Sequence, residues 1–234
     1  MTKNRAVTSS MHPNQSYSNA LRSPGWLAAR PMIGVLMFVL GGLLFGALAY
    51  NVETKGPLLQ WDTPLAQEMH TEATQTPIGT LEYLIFGFFL GKELIQVIGG
   101  ILVLYFLHKR FWRELAMVLV GLGGGGYLWY VLSRYFERLR PSAQLGIIVT
   151  DPSFPSGHAI AAVLCYGLLA YLLVPKMPST FWKVFVIAVS LFAIAFIGFS
   201  RLFLGGHYLT DIVAGYALGV AWAGLVYTIL EKIL

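Results

Sequence analysis

Residues 184–230 read VFVIAVSLFAIAFIGFSRLFLGGHYLTDIVAGYALGVAWAGLVYTIL, and their pattern is the strongest indication of the fold. Two uncharged apolar runs, 184–199 and 212–230, enclose a short segment that carries an arginine, a histidine and an aspartate. Runs of 16 and 19 residues approach the ~20 residues that a helix needs to cross the hydrocarbon core of a bilayer. The pattern therefore predicts two membrane-spanning helices joined by a polar turn.

Four further uncharged apolar runs precede this stretch, at 31–50, 94–107, 115–132 and 159–174. The run 31–50 has 20 residues, which exceeds the roughly 7–15 of a signal-peptide core and predicts a retained span. Only 12% of the 234 residues are charged, whereas soluble domains carry about 25%. We therefore predict an all-α integral membrane protein, a bundle of six transmembrane helices.

The remaining segments set the domain organisation. Residues 1–30 are polar and without hydrophobic periodicity, which predicts a disordered cytoplasmic tail ahead of one membrane domain, 31–234. Between the first two spans, 51–90 carries apolar side chains at helical spacing, namely Leu58, Trp61, Leu65, Met69 and Ala73. This spacing predicts one or two amphipathic helices on the membrane surface, or a structured loop that packs on the spans.

The basic residues indicate the orientation. Ten of the 16 Lys and Arg residues fall on the face that holds both termini, and six fall on the other. The positive-inside rule makes the first face cytoplasmic. The net charge of +5 is thus explained by membrane topology, and we expect a bilayer environment and no nucleic-acid partner.

Three polar clusters interrupt the apolar sequence, at 134–141, 155–158 and 200–211. The first follows the third span, the second begins the fourth, and the third joins the fifth to the sixth. Two spans separate the second cluster from the third, so both emerge on one side of the membrane. The span count therefore predicts one composite site on the extracytoplasmic face.

The histidines and the aspartate suit nucleophilic catalysis. His207 and Asp211 are four residues apart and share a helix face. A carboxylate in that position can accept one imidazole N–H and leave the other ring nitrogen as a nucleophile. His158, in the second cluster, is the candidate general acid for the leaving group.

The other polar residues suit an anion. Ser156 and Gly157 stand at a predicted helix N-terminus, where backbone N–H groups bind phosphate oxygens. Gly157 permits close approach, and Ser156 adds a hydroxyl donor. Arg140 and Arg201 supply the planar guanidinium groups that match phosphate. Together the clusters predict phosphoryl chemistry.

The clusters resemble the three-part signature KxxxxxxRP, PSGH and SRxxxxxHxxxD of the type 2 phosphatidic acid phosphatase and vanadium haloperoxidase superfamily. The second part is intact at 155–158 and the third at 200–211. The resemblance implies a phosphohistidine intermediate on His207, protonation of the leaving group by His158, a lipid phosphate substrate, and no metal or other cofactor.

The first part departs from this signature. Arg140 and Pro141 match, but Ser133 occupies the lysine position and Arg134 stands one place later. The two positions differ by about 100° around a helix. Either Arg134 reaches the phosphate in place of the lysine, or the pocket has one cation fewer.

These observations predict a membrane phosphatase that hydrolyses a lipid phosphomonoester or pyrophosphate at the outer interface. Phosphatidate, phosphatidylglycerol phosphate and polyprenyl diphosphate are the candidate substrates. A lipid phosphotransferase with the same intermediate and a non-catalytic membrane scaffold are the alternatives. The oligomeric state is not encoded in any of these patterns.

Overall fold

The computed structural model describes residues 31–75, 81, 92–141 and 151–233, and every regular element in them is helical. The α-helices are α1 (Pro31–Thr54), α2 (Asp62–Gln75), α3 (Lys92–Lys109), α4 (Trp112–Val118), α5 (Gly124–Phe136), α6 (Gly157–Leu173), α7 (Thr180–Phe203) and α8 (Leu209–Ile233). A π-helical turn, Leu119–Gly123, joins α4 directly to α5, and short 3-10 helices cover Pro57–Trp61 and Val174–Lys176. The predicted tail, 1–30, lies outside the described residues.

Five helical segments within the described residues are long and apolar enough to cross a membrane. They are Met32–Thr54, Trp112–Phe136, Gly157–Lys176, Thr180–Phe203 and Leu209–Leu230. The remaining predicted span, 94–107, does form a helix, but the 18 residues of α3 include the charged residues Lys92, Glu93 and Lys109. The all-helical membrane fold is confirmed, and the count of six spans stays a prediction.

Helix α8 lies at the centre and packs against α1 and α6. Small residues allow α1 to approach it closely. A Cβ on Gly41 of α1 would lie 2.6 Å from the Ala217 carbonyl oxygen, and one on Gly224 of α8 would lie 2.6 Å from the Gly34 carbonyl oxygen. Backbones this close leave no room for a Cβ, so both positions require glycine. The close packing fixes α8, whose first turn carries Asp211.

Helices α1 and α7 turn broad apolar faces outward. Leu40 and Leu43 of α1 and Leu191 and Phe192 of α7 are each more than 60% exposed. An apolar surface of this extent indicates contact with lipid. The outward faces therefore agree with the composition and support an integral membrane protein.

Helix α2 confirms the helix predicted between the first two spans. Ala66 and Ala73 are buried, and Met69 packs against Phe203 of α7 and Ile212 of α8. The structure thus favours a helix that packs on the spans. This contact brings α2 beside the polar end of α7 and α8.

Candidate active site

The three polar clusters meet at one end of the bundle. Arg140 follows α5, His158 lies in the first turn of α6, and Asp211 lies in the first turn of α8. His207 lies in the turn before α8, which begins at Leu209, so the prediction that it shares a helix face with Asp211 is wrong. Its side chain is buried, at 2% exposed. The helix ends therefore bring together the residues that the sequence separates by up to 71 positions.

The two ring nitrogens of His207 have different surroundings. Nδ1 lies 2.8 Å from the Ser153 carbonyl oxygen, and Nε2 lies 3.2 Å from Nη1 of Arg140. A carbonyl only accepts, so we assign the proton to Nδ1, which donates to Ser153. Arg140 only donates, so the Nε2 lone pair accepts from it. This tautomer gives His207 a nucleophilic nitrogen that faces a guanidinium group.

The surroundings of His207 favour its neutral form. Burial lowers the pKa of His207 below the ordinary histidine value, and the Arg140 charge adds to that lowering. The Asp211 carboxylate and the Ser153 carbonyl oppose it. Oδ2 of Asp211 lies 3.6 Å from Nδ1, and the carboxylate raises the pKa of the ring both as a hydrogen-bond acceptor and through its charge. A neutral imidazole is the form that can attack phosphorus.

Backbone carbonyl oxygens hold Arg140 in place. Its Nη1 donates to the Gly206 oxygen at 2.7 Å, and its Nε donates to the Asp151 oxygen at 2.8 Å. Burial lowers the pKa of Arg140, whereas the charges of Asp211 and Asp151 raise it. The ordinary pKa of a guanidinium group is so high that the group stays charged despite this lowering. Arg140 is therefore a fixed cation beside Nε2.

Ser156 begins α6 as its N-cap. Its Oγ accepts a hydrogen bond from the Ala159 N–H at 3.4 Å, and its own N–H donates to the Asp211 carbonyl at 3.0 Å. The hydroxyl hydrogen can still be donated to a ligand, because the cap uses only a lone pair. The cap also ties the start of α6 to the start of α8.

Gly157 is a point of close contact with α5. A Cβ at this position would lie 2.9 Å from both Cε2 and Nε1 of Trp129. That indole nitrogen is buried and has no hydrogen-bond partner among the described residues. Glycine at this position allows the first turn of α6, with His158, to pack against the tryptophan.

His158 and Arg201 complete the group. The His158 and His207 ring centroids are 6.2 Å apart, which suits an acid and a nucleophile that act on opposite sides of one phosphorus atom. Nε of Arg201 donates to Ser200 Oγ at 3.2 Å, and its charge interacts with that of Arg140. In the described part of the chain, no three His, Cys, Asp or Glu side chains cluster as a metal site requires.

The two positions of the divergent first motif point in different directions. Ser133 is buried and donates to the Tyr130 carbonyl of its own helix at 3.0 Å. The Arg134 side chain is 54% exposed, and its Nη2 lies 3.6 Å from Oδ1 of Asp151. Arg134 lines an open pocket of about 210 Å³ whose wall also includes Arg140. Arg134 is therefore an exposed side chain that shares a pocket wall with Arg140.

Three residues outside the predicted set contact the candidate site. Ser153 acts through its backbone carbonyl, which no side-chain pattern reveals. Arg138, two residues before Arg140, donates to Asp211 Oδ1 at 2.6 Å and to Asp62 Oδ2 at 2.8 Å. Asp62 could have been found from the sequence, because its spacing places it on the apolar face of α2. A carboxylate on a buried face requires a buried partner.

Comparison with known proteins supports the resemblance noted in the motifs. The sequence profile of the PAP2 superfamily matches residues 114–234. Phosphatidylglycerophosphatase B of Bacillus subtilis is 36% identical over 142 residues, which cover 60% of this chain and 68% of that protein. Undecaprenyl-diphosphatase of Sulfolobus acidocaldarius is 31% identical over 105 residues, 44% of this chain and 46% of that protein.

A solved structure shares the fold. The crystal structure of a transmembrane PAP2-type phosphatidylglycerolphosphate phosphatase from Bacillus subtilis superimposes with a TM-score of 0.64 at 28% identity. The match covers 86% of this chain and 98% of that one. The fold similarity thus extends well beyond the segment that holds the three motifs.

Proposed function

This chain belongs to the PAP2 superfamily, and we propose that it releases phosphate from a membrane lipid through a covalent intermediate on His207. It is an integral membrane phosphatase. The observation that carries the mechanism is the position of His207, whose Nδ1 faces the Ser153 carbonyl and whose Nε2 faces Arg140. That arrangement supplies a neutral nucleophile next to a cation that binds phosphate.

The reaction has two steps. Arg140, Arg201 and the N-terminus of α6 hold the phosphate oxygens, and Nε2 of His207 attacks phosphorus as the bond to the lipid oxygen breaks. His158 donates its proton to that oxygen and so releases the dephosphorylated lipid. Water, deprotonated by His158, then attacks the phosphohistidine, which frees inorganic phosphate and restores Nε2. Charge that develops on the equatorial oxygens is stabilised by the two arginines.

The substrate class follows from the setting and from the relatives. The sequence relative and the solved structure from Bacillus subtilis, each covered by this chain over more than two thirds of its length, are both named for phosphatidylglycerol phosphate. We therefore place that lipid first among the candidates, before phosphatidate and polyprenyl diphosphate. A site at the helix ends receives the headgroup while the acyl or prenyl tail stays in the bilayer.

In the proposed topology α3 also crosses the membrane, which adds a sixth span to the five identified above. It is the second span in chain order. The chain then crosses six times, with both termini in the cytoplasm and the site on the extracytoplasmic side. The supporting observation is the distribution of Lys and Arg, ten against six, under the positive-inside rule.

The test is phosphate release by the purified full chain in detergent, measured side by side on the three lipids. His207→Ala should abolish turnover and remove the acid-labile, base-stable phosphate that the native protein traps from substrate. Asp211→Asn should cost less, because Asp211 orients and supports the ring. Phosphohistidine that persists in His207→Ala would refute the nucleophile. Phosphate delivered to an added lipid acceptor, in preference to water, would identify a transferase.

A further inference from the structure

Asp62 is a buried carboxylate outside the three motifs. It begins α2 and is 2% exposed. Oδ1 accepts a hydrogen bond from the Thr210 backbone N–H at 3.1 Å, and Oδ2 accepts from the Thr210 hydroxyl. The carboxylate thereby satisfies a first-turn N–H of α8 from another helix, where the helix dipole favours a negative charge.

Asp62 also holds Arg138. Nη2 of Arg138 donates to Asp62 Oδ2 at 2.8 Å, while Nη1 donates to Asp211 Oδ1 at 2.6 Å. The guanidinium group lies 4.2 Å from the centre of the Tyr208 ring. Two carboxylates and an aromatic face thus fix both the position and the plane of this group.

The last link reaches the nucleophile. Oδ2 of Asp211 accepts from the Tyr208 backbone N–H at 2.9 Å and lies 3.6 Å from Nδ1 of His207. Asp211 therefore has one oxygen held by Arg138 and the other turned toward the imidazole. The chain of contacts runs from Asp62 through Arg138 and Asp211 to His207.

A contribution to the stability of the fold does not by itself explain this network of buried charges. Burying charges costs free energy, and a well-packed apolar cluster of similar volume often serves the fold as well or better. Here the buried charges converge on the carboxylate that faces the nucleophile. Their arrangement, two carboxylates around one guanidinium group, sets a net negative charge beside His207 and restricts where Asp211 can move.

We propose that Asp62 is a positioning residue for catalysis, which acts through Arg138 to hold the Asp211 carboxylate against His207. Helix α2 is then part of the working site although it carries none of the motif residues. This inference rests on the proposed function of His207 as the nucleophile. It adds a role for α2 that the motifs do not imply.

The network predicts opposite pH effects for its two charges. The other groups that face His207 are Arg140 and, across the ring contact, His158, and both are unchanged in the variants below. Asp62→Asn removes a negative charge, leaves Arg138 less neutralised, and should move the acid limb of kcat/KM to lower pH. Arg138→Gln removes the positive charge and should move that limb to higher pH.

The experiment compares Asp62→Asn with Glu68→Gln in the purified full chain, on one lipid phosphate in detergent. Both changes remove one charge from α2, but Glu68 is exposed. Asp62→Asn should lower kcat by roughly 10- to 100-fold, by analogy with the loss of a residue that orients a metal ligand, with KM within about twofold. Glu68→Gln should match the native protein in kcat, KM and acid limb. A thermal unfolding curve checks that each variant is folded.

A native kcat and acid limb in folded Asp62→Asn would overturn the inference, as would equal losses in Asp62→Asn and Glu68→Gln. If Asp62→Asn fails to fold, Arg138→Lys provides the test. A lysine keeps the positive charge but lacks the planar guanidinium group that binds both carboxylates at once. A lowered kcat with an unmoved acid limb then supports the inference, and a native kcat refutes it. Turnover in His207→Ala would refute the proposed nucleophile instead, whatever Asp62→Asn does.

Discussion

Replacing Gly157 with alanine should disturb the first turn of α6 and with it His158. The new Cβ would lie 2.9 Å from two ring atoms of Trp129, whereas carbon atoms pack at about 3.5–4.0 Å. The helix start or the tryptophan must therefore move by about 0.6 Å or more. Overpacking of this kind costs about 1–3 kcal/mol of stability, and a misplacement near 1 Å costs about 10²-fold in rate. We expect Gly157→Ala to lower kcat by about 10²-fold.

The assay is phosphate release in detergent, together with thermal unfolding. Gly167→Ala is the matched control, because Gly167 lies on the same helix and a Cβ there would meet nothing within 4 Å. That change should keep kcat and leave the unfolding temperature equal or higher, since alanine favours a helix over glycine.

A second variant isolates the clash. Trp129→Leu removes the ring atoms that the new Cβ would meet, so Gly157→Ala should cost far less when made in Trp129→Leu than in the native protein. Native activity and stability in Gly157→Ala would refute the reasoning. An undiminished loss in the Trp129→Leu background would show that the clash is not its cause.

Three further predictions concern charge and chemistry at the same site. Arg134→Ala should lower kcat by about tenfold or less, since a guanidinium group that is 54% exposed contributes less than the 10²–10³ of a buried transition-state donor; a larger kinetic loss would place Arg134 on the phosphate. Burial lowers the pKa of His207, so His207 should remain neutral at pH values where an ordinary histidine, with a pKa of about 6.5, is already protonated. The acid limb of the kcat/KM profile should therefore lie below about pH 6.5, and an acid limb at or above that value contradicts this. EDTA should leave turnover intact and vanadate, which resembles the five-coordinate transition state, should inhibit; loss in EDTA that magnesium restores would indicate a metal-dependent mechanism.

Part of the geometry of the candidate site follows from local spacing along the chain. His207 and Asp211 are four residues apart and do come together, with Oδ2 of Asp211 3.6 Å from Nδ1 of His207, although His207 lies in the turn before α8. The Ser156 cap begins α6 at the residue that the Pro-Ser-Gly-His segment indicates. Short separations along the chain and cap chemistry are features that a sequence displays directly. The divergent first motif was predictable only in part. The sequence singles out Ser133 and Arg134, but it does not say which of the two side chains faces the phosphate. The rotation of α5, which buries Ser133 and exposes Arg134, depends on how that helix packs.

From the amino-acid sequence come the apolar runs, their order along the chain, and the prediction that the three polar clusters lie together. Each of these depends on composition and on counting along the chain. Only the tertiary structure decided that the Ser153 carbonyl sets the tautomer of His207, and that Asp62 reaches Thr210 from 148 residues away. A backbone acceptor has no side-chain signature, and contacts between distant helices depend on how glycine and alanine let the helices approach. Such contacts arise from packing, which no local pattern records.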